Sequence, residues 1–320
     1  VFGIWMQSHE VKPLARYLHE AAHTKKPLEL CGFDCQLTGT ASRRLLAVDL
    51  AAVMGKAIHT LTAVDHPKNF QRMVDFIIDS KATLPPKERD ARLQDLANLG
   101  EALRGDAKIA DLDDRDRAWW AQNCESLAAQ LRNVVAQREG AKEDTWGSVN
   151  RRDAQMGKNM IWLGDEHYKG RKIIVWAATF HIIRNAPKLT SASVDYTNVE
   201  PMGHRVAKHY GKACYTLGFT AYEGEIGRPW TRPSPLAPSD PNTFEHWMRQ
   251  TGHDEAIIDL RAPASGGAFL HEPFVARPLG YGAMTGNGWH DVLDGFYYQR
   301  VMTPSTRSGY TPPPKVGSIE

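Results

Sequence analysis

The stretch that decides the fold reads Lys172-Ile-Ile-Val-Trp-Ala-Ala-Thr-Phe-His181. Its apolar residues follow one another without alternation, which is typical of a strand that is covered on both faces. Such strands belong to parallel sheets whose two faces are packed with helices. We therefore predict a core strand from Lys172 to Thr179, with His181 beyond its carboxyl end, where open α/β sheets place their sites.

The segments around this stretch alternate between helix and strand patterns. Upstream, they predict a helix from Ser8 to Thr24 capped by Ser8, a strand from Leu28 to Phe33 and a helix from Val149 to Tyr168. Downstream, they predict helices Met202 to Tyr210 and Thr243 to Gly252, and strands Ala213 to Thr220, Glu255 to Leu260 and Gly295 to Val301. The predicted fold is α/β, with a mostly parallel sheet flanked by helices.

Apolar residues at helical spacing between residues 45 and 145 predict an inserted all-helical subdomain. The predicted organisation assigns residues 1–44 to the first part of an α/β core and 146–302 to the remainder of that core. Residues 303–320 are polar and rich in proline, so we expect a tail there.

Composition limits the classes of partner. The 320 residues include 39 Lys and Arg against 37 Asp and Glu, and no basic run is interleaved with aromatic residues, so no nucleic-acid partner is expected. No stretch approaches the roughly 20 apolar residues that a membrane span needs, so we expect no membrane partner and a cytoplasmic protein.

The four cysteines lack zinc-site spacing and are predicted to be reduced thiols. We expect no metal and no cofactor, and the oligomeric state stays open.

Several catalytic motifs are absent from the sequence. There is no Gly-x-Ser-x-Gly, no metalloprotease helix with paired histidines and no Walker loop. Serine hydrolases, zinc proteases, kinases and dehydrogenases are therefore disfavoured. The remaining candidates are polar residues near the ends of predicted strands.

His181 is the candidate catalytic residue, since an imidazole can act as base or acid near neutral pH. The alternative is a structural histidine bonded to a loop carbonyl. Asp34 and Gln36 follow the first predicted strand and Glu29 lies within it, where a carboxylate could orient a histidine or bind a substrate hydroxyl. The alternative for Asp34 is a turn in which it bonds its own backbone.

Arg152 and Asn159 lie on the helix that precedes His181, where they could donate hydrogen bonds to a reacting carbonyl group. A solvated helix face, or a salt bridge between Arg152 and Asp153, is the alternative. Glu225, with Glu223, follows a predicted strand and could face a cleft or solvent.

Ordered blocks of sequence resemble one known family, the erythromycin esterase-like proteins. The blocks are Ile4-Trp5, Glu10-Val11, Gly32-Phe-Asp-Cys-Gln36, Arg152-Asp153, Met156, Asn159, Trp162-Leu163, Lys172 to His181, Met202-Gly203, Tyr210-Gly211, Gly218-Phe219, Asp259-Leu-Arg261 and Asp294-Gly-Phe296. The resemblance implies an α/β core with a helical subdomain in a bacterial protein linked to antibiotic resistance. It also implies hydrolysis of a macrolide lactone by water that a histidine activates, without an acyl-serine.

Two departures from the family pattern affect the expected activity. The family's N-terminal Gly-Glu-x-x-His segment, which supplies the usual base, is expected to lie outside this sequence. The family also reads Trp-Ala-His-Asn-x-His where this chain has Trp176-Ala-Ala-Thr-Phe-His181, so Ala178 replaces the first histidine. Two hypotheses remain open: a water-activating esterase for a small-molecule ester, or a diverged or truncated member that binds a hydroxylated small molecule or glycan without hydrolysing macrolides.

Overall fold

The computed structural model describes residues 7–57, 66–105, 109, 111–140, 146–261 and 267–307, which form helices and two small sheets. The helices are α1 (Lys12–Ala22), α2 (Thr40–Ala57), α3 (His66–Ile78), α4 (Pro86–Arg104), α5 (Asp114–Arg138), α6 (Gly147–Trp162), α7 (Thr179–Ile182), α8 (Met202–Tyr210) and α9 (Phe244–Gln250). The strands are β1 (Leu189–Thr190), β2 (Leu217–Ile226), β3 (Ser234–Leu236), β4 (Glu255–Asp259), β5 (Phe274–Ala276), β6 (Met284–Gly286) and β7 (Gly295–Met302). None of the described helices has the length and apolar character needed to cross a membrane.

Helices α2 to α5 pack around a hydrophobic cluster of their own. Helix α5 begins with a local signal, because the side chain of Asp113 accepts a hydrogen bond from the backbone N–H of Asp116 at 2.7 Å. Two acidic residues lie in its first turn and Arg138 in its last, which matches the helix dipole. Between residues 40 and 138 the regular structure of the described residues is helical, and the boundaries 45 and 145 of the insertion stay predictions.

The larger sheet has the strand order β3-β2-β7-β4. Strands β2 and β7 run parallel, whereas β3 pairs with β2 and β4 pairs with β7 in antiparallel fashion. The smaller sheet, β1-β6-β5, is antiparallel. The protein is therefore mixed α/β, and the prediction of a mostly parallel sheet is wrong. The connection between β2 and β3 is too short for the crossover that a parallel pair needs, so β3 folds back beside β2.

One face of the larger sheet packs into a hydrophobic core, and the other is open. Phe296 and Tyr298 of β7 are fully buried and pack with Phe244 of α9. On the opposite face, Phe219 of β2 and Ile257 of β4 are exposed by 55% and 67%. The alternation of side chains along each strand produces this contrast between the faces.

Two predicted core strands are not strands in the structure. Residues 28–33 and 172–178 have no regular secondary structure, and Thr179 begins the short helix α7. Ile174, expected to be buried, is exposed by 97%. A β-strand needs a neighbour to which its backbone can bond, and no strand pairs with either segment among the described residues.

The other predicted elements are confirmed with shifted ends. Helix Met202–Tyr210 has the predicted bounds, and β2 begins at Leu217 rather than Ala213 because residues 211–213 form a 3₁₀ turn. The predicted helix to Tyr168 changes at Leu163 into a single π-helical turn. The Ser8 hydroxyl does not cap α1, since it donates to the Glu10 carboxylate at 2.7 Å.

Candidate active site

His181 forms a pair with Asp153 of helix α6. The Nδ1 atom of His181 lies 2.9 Å from Oδ1 and 3.0 Å from Oδ2 of Asp153. The Asp153 side chain is completely buried, whereas 18% of the His181 side chain is exposed. A carboxylate bound to one imidazole nitrogen fixes the ring and its tautomer, so Nε2 is the ring nitrogen that the Asp153 contact leaves available.

The Asp153 carboxylate is held from a second direction by helix α8. Its Oδ1 atom accepts the backbone N–H of Met202 at 2.9 Å. Met202 is the first residue of α8, and the N-terminus of a helix favours a negative charge. His181 and the N-terminus of α8 therefore hold this buried carboxylate from two directions.

Glycines let these elements approach closely enough to build the pair. A Cβ atom on Gly203 of α8 would lie 1.9 Å from the carbonyl oxygen of Ile182, directly after His181. A Cβ atom on Gly157 of α6 would lie 3.1 Å from the side chain of Arg205. Helices α6 and α8 and the chain after His181 are thus packed with little space between backbones.

Aromatic rings lie beside the pair. Phe180 meets the His181 ring edge-on, with 5.3 Å between ring centroids. Phe180 stacks on Trp146 at 5.6 Å, and Trp146 stacks on Tyr196 at 6.0 Å. An apolar substrate group could pack against such a surface.

Asp34 and Arg152, both predicted site residues, are brought together by the fold although 118 positions separate them. Arg152 Nε donates to Asp34 Oδ1 at 3.0 Å, and Nη2 donates to Asp34 Oδ2. The same Asp34 Oδ1 accepts the backbone N–H of Gln36 at 2.9 Å, as in the predicted turn. The salt bridge of Arg152 is thus to Asp34, and Asp153 is left for His181.

Asn159 is buried, and its amide is engaged by neighbouring residues. Its Nδ2 donates to the Phe33 carbonyl at 2.8 Å and to the Ser126 hydroxyl at 3.0 Å. Its Oδ1 accepts from Gln122 and Gln155, both at 2.9 Å. These bonds anchor the chain just before Asp34, so Asn159 positions the Asp34–Arg152 pair in this structure.

The remaining carboxylate candidates lie elsewhere. Glu225 is exposed in the section of β2 that pairs with β3, and no described contact joins it to His181 or Arg152. Glu29 accepts hydrogen bonds from Arg171 and from Arg115, the latter at 2.6 Å. These two guanidinium groups lower the pKa of Glu29 to about 2, which makes it a poor general base.

The cysteines are poor candidates for a nucleophile. All four are free, and burial raises the pKa of Cys35 and of Cys124 to about 12. Burial also raises the pKa of Cys31 and Cys214. A thiol needs a lowered pKa to react as a thiolate near neutral pH.

Sequence reasoning missed Asp153 as the partner of His181. It considered Asp153 only as a salt-bridge partner of the adjacent Arg152. A signal was present, because Asp153 falls in the stripe of Met156, Gly157 and Met160, all buried on α6. A carboxylate in a buried helical stripe requires a partner, and the histidine that follows the next segment was available.

Comparison with known proteins identifies the family. The erythromycin esterase family model matches residues 1–301. “Putative hydrolase YbfO” of Bacillus subtilis (strain 168) is 25% identical over 316 residues, which cover 88% of this chain and 65% of that protein. The chain thus spans slightly less than two thirds of that relative's length. A solved structure of a Bacillus cereus protein shares the fold, with a TM-score of 0.65, 16% identity and coverage of 94% of this chain and 73% of the other.

Fold and site together define a mixed α/β protein with a histidine held by a buried aspartate. The chain belongs to the erythromycin esterase family, whose model covers it almost from end to end.

Proposed function

We propose that the protein hydrolyses a carboxylic ester, with a macrolide lactone as the first substrate to test, by activating water directly on His181. The observation that carries this proposal is the contact between His181 Nδ1 and the fully buried Asp153 carboxylate. It leaves Nε2 as the nitrogen that can exchange a proton with a ligand.

The proposed reaction needs one bound water and no enzyme nucleophile. Nε2 accepts a proton as the water oxygen attacks the ester carbon, and Asp153 stabilises the resulting imidazolium. The tetrahedral intermediate then collapses, the bond to the alcohol oxygen breaks, and His181 returns its proton to that oxygen. An open-chain ester gives a carboxylic acid and an alcohol, and a lactone gives one ring-opened molecule that carries both groups. The elevated pKa values of the cysteine thiols support water rather than sulfur as the attacking group.

The other predicted site residues are assigned supporting roles. Arg152 places a positive charge next to Asp153 in the sequence, and its bidentate contact with Asp34 fixes the guanidinium plane. Gln36 and Asn159 order the segment that carries Asp34. Glu225 is proposed as a peripheral contact for a large substrate. The Phe180 ring beside His181 favours an apolar group next to the ester bond.

The test is turnover of a macrolide and of p-nitrophenyl esters in ¹⁸O-labelled water, followed by mass spectrometry. We expect one labelled oxygen in the acid product.

His181→Ala should lower the rate by about 10²–10⁴-fold, the usual contribution of a general base. His209 offers a matched control, because its Nε2 contacts the Asp165 carboxylate at 2.7 Å on the exposed part of α8. His209→Ala should leave the rate unchanged.

A second function, binding of a hydroxylated small molecule without hydrolysis, is favoured by one observation. Ala178 stands where the resemblance leads one to expect a histidine, in the same turn as His181. If the folded protein binds a macrolide or glycan without adding water, the esterase proposal is wrong and this second function is supported. Unchanged turnover in His181→Ala would also contradict the assigned role of His181.

A further inference from the structure

A basic pocket lies between helix α8 and the 3₁₀ turn of residues 289–291. Its volume is about 280 Å³. Its polar lining comprises Arg184, Asn185, His204, Lys208, His290 and Asp291. Neither His181 nor Asp153 belongs to this lining, so the pocket is separate from the proposed catalytic pair.

Most charges around the pocket are paired, and the exception among the described lining residues is the cationic Lys208. Arg184 Nη1 contacts Asp294 Oδ1 at 3.1 Å, and Lys188 contacts Asp291. Among the described residues no ion pair involves Lys208. His204 lies one helical turn before Lys208, so both project from the same face of α8. The net electrostatic character of the pocket is therefore positive.

The guanidinium group of Arg184 is held in place beside the pocket. Arg184 Nη2 donates to the His290 carbonyl at 3.1 Å, yet the buried Arg184 Nε has no hydrogen-bond partner. The Nδ1 atom of His290 is likewise buried without a partner. These two atoms are buried away from the open space of the pocket, so the donors available to a ligand are those of Lys208 and His204, which line it.

The backbone at this position is strained. Asn185 adopts the left-handed conformation with φ 44° and ψ 46°, and its side chain donates to the Asp291 carbonyl at 2.9 Å. Such conformations cost free energy in a non-glycine residue and concentrate at ligand sites. Here the strain fixes the turn between Arg184 and Lys188.

An adjoining cavity extends the pocket with apolar surface. Its volume is about 350 Å³, and it shares Asn185 and His204 with the basic pocket. Ala186, Pro187 and Val199 line it together with Lys188 and Glu200, and these two charged side chains are paired, Lys188 with Asp291 and Glu200 with Arg205 at 2.9 Å. A basic compartment next to an apolar one suits a molecule with an anionic head and an apolar body.

We propose that these two cavities bind a small amphipathic organic anion. Its oxyanion, a carboxylate or a phosphate, lies against the side chains of Lys208, His204 and Arg184. Its hydrocarbon part occupies the adjoining cavity. Charge-assisted hydrogen bonds supply affinity at the head, and burial of apolar surface supplies it at the tail. This function goes beyond the proposed ester hydrolysis and does not depend on it.

The test is isothermal titration calorimetry of the full chain with acetate, octanoate, inorganic phosphate and octyl phosphate. We expect each eight-carbon ligand to bind more tightly than its short counterpart, and the tighter of the two head groups shows whether the pocket prefers a carboxylate or a phosphate. Lys208→Gln should weaken binding about fivefold, as expected for one partly exposed ion pair. The double variant with His204→Gln should weaken it further.

Lys212→Gln is the matched control, since Lys212 is exposed just beyond α8 and does not line the pocket. It should bind all four ligands like the unmodified protein, and thermal melting should show that every variant is folded. Absence of binding tighter than about 1 mM for all four ligands would overturn the proposal. Equal weakening by Lys212→Gln and Lys208→Gln would do the same, and equal affinity for short and long ligands would refute the role of the apolar cavity.

Discussion

At the residue scale, the burial of Asp153 is the decisive feature of the candidate site. A carboxylate without solvent exposure is stable only when its oxygens are bonded, and here the donors are His181 and the Met202 backbone. Each of these donors belongs to a different segment of the chain. The pair is therefore a product of packing between α6, α7 and α8.

Replacing the carboxylate of Asp153 by an amide tests its role. Asp153→Asn keeps an oxygen for the Met202 N–H but can no longer stabilise an imidazolium, so we expect a loss of about 10²-fold or more in ester cleavage. Turnover at several pH values measures this loss. Asp165→Asn, at the exposed His209 pair, should have no effect. Full activity of Asp153→Asn would show that Asp153 has no part in catalysis.

The burial of Glu245 predicts that the stability of the protein depends on pH. Burial raises the pKa of Glu245, whose Oε1 accepts the Arg277 N–H at 2.9 Å while Oε2 has no partner. The folded state thus holds this proton more tightly than the unfolded state does. The free energy of unfolding should fall as pH rises above 4.5, the ordinary value for this carboxyl, towards the raised pKa of the folded state.

Glu245→Gln should remove this part of the pH dependence. The amide oxygen of the variant can still accept the hydrogen bonds that Oε1 accepts. We therefore expect the free energy of unfolding to change by about 1 kcal/mol at low pH, and the variant to gain stability relative to the unmodified protein as pH rises. Urea unfolding of both proteins across the acidic and neutral range measures the difference. A difference that does not vary with pH would contradict the assigned titration.

At the element scale, helix α8 connects both proposed sites. Its first residue binds Asp153, and its later turns carry His204 and Lys208. The helix can reach this position because Gly203 lies against the carbonyls of Ile182 and Ile183. A side chain at this position would separate α8 from the segment that carries His181.

Gly203→Ala should therefore destabilise the protein. The added Cβ would lie 1.9 Å from the Ile182 oxygen, so the helix must shift, at a cost of about 1–3 kcal/mol, and ester cleavage should also fall. Gly55→Ala is the control, because nothing lies within 4 Å of its added Cβ in α2. That substitution should stabilise the protein by about 0.5–1 kcal/mol. Chemical denaturation of both variants provides the comparison, and equal stabilities would argue against the close approach.

At the scale of the whole molecule, hydrophobic residues separate into distinct clusters. One buried cluster draws only on residues between Ala47 and Val134, in the helical region. Another draws on residues between Ile183 and Tyr298, around the sheets. Local contacts within each cluster favour separate cooperative units.

Hydrogen exchange should reveal these units. Leu131→Ala and Leu293→Ala each remove a fully buried side chain, at a cost of about 2–5 kcal/mol. We expect Leu131→Ala to accelerate exchange mainly in α2 to α5, and Leu293→Ala mainly in the sheets. Mass spectrometry of peptides reports both regions in one experiment. Equal acceleration of both regions by either variant would show a single cooperative unit and contradict the predicted subdomain.

Local patterns in the sequence were sufficient for several elements. The apolar spacing of Met202–Tyr210 and the apolar run of β7 act over neighbouring residues, and both elements form where they were predicted. The same patterns failed at residues 172–178, because an apolar run indicates strand character but does not supply a partner strand. Strand direction also depends on connections, which is why the sheet is mixed.

The sequence by itself determined the family and the α/β class in its coarse form, and it predicted a catalytic role for His181. Ordered motifs and periodicities of nearby residues carry that information. Only the tertiary structure decided the partner of His181, the pairing of Asp34 with Arg152, and the basic pocket around Lys208. These contacts join residues that are 28 and 118 positions apart, and a pairing over such distances depends on how helices pack rather than on any local pattern.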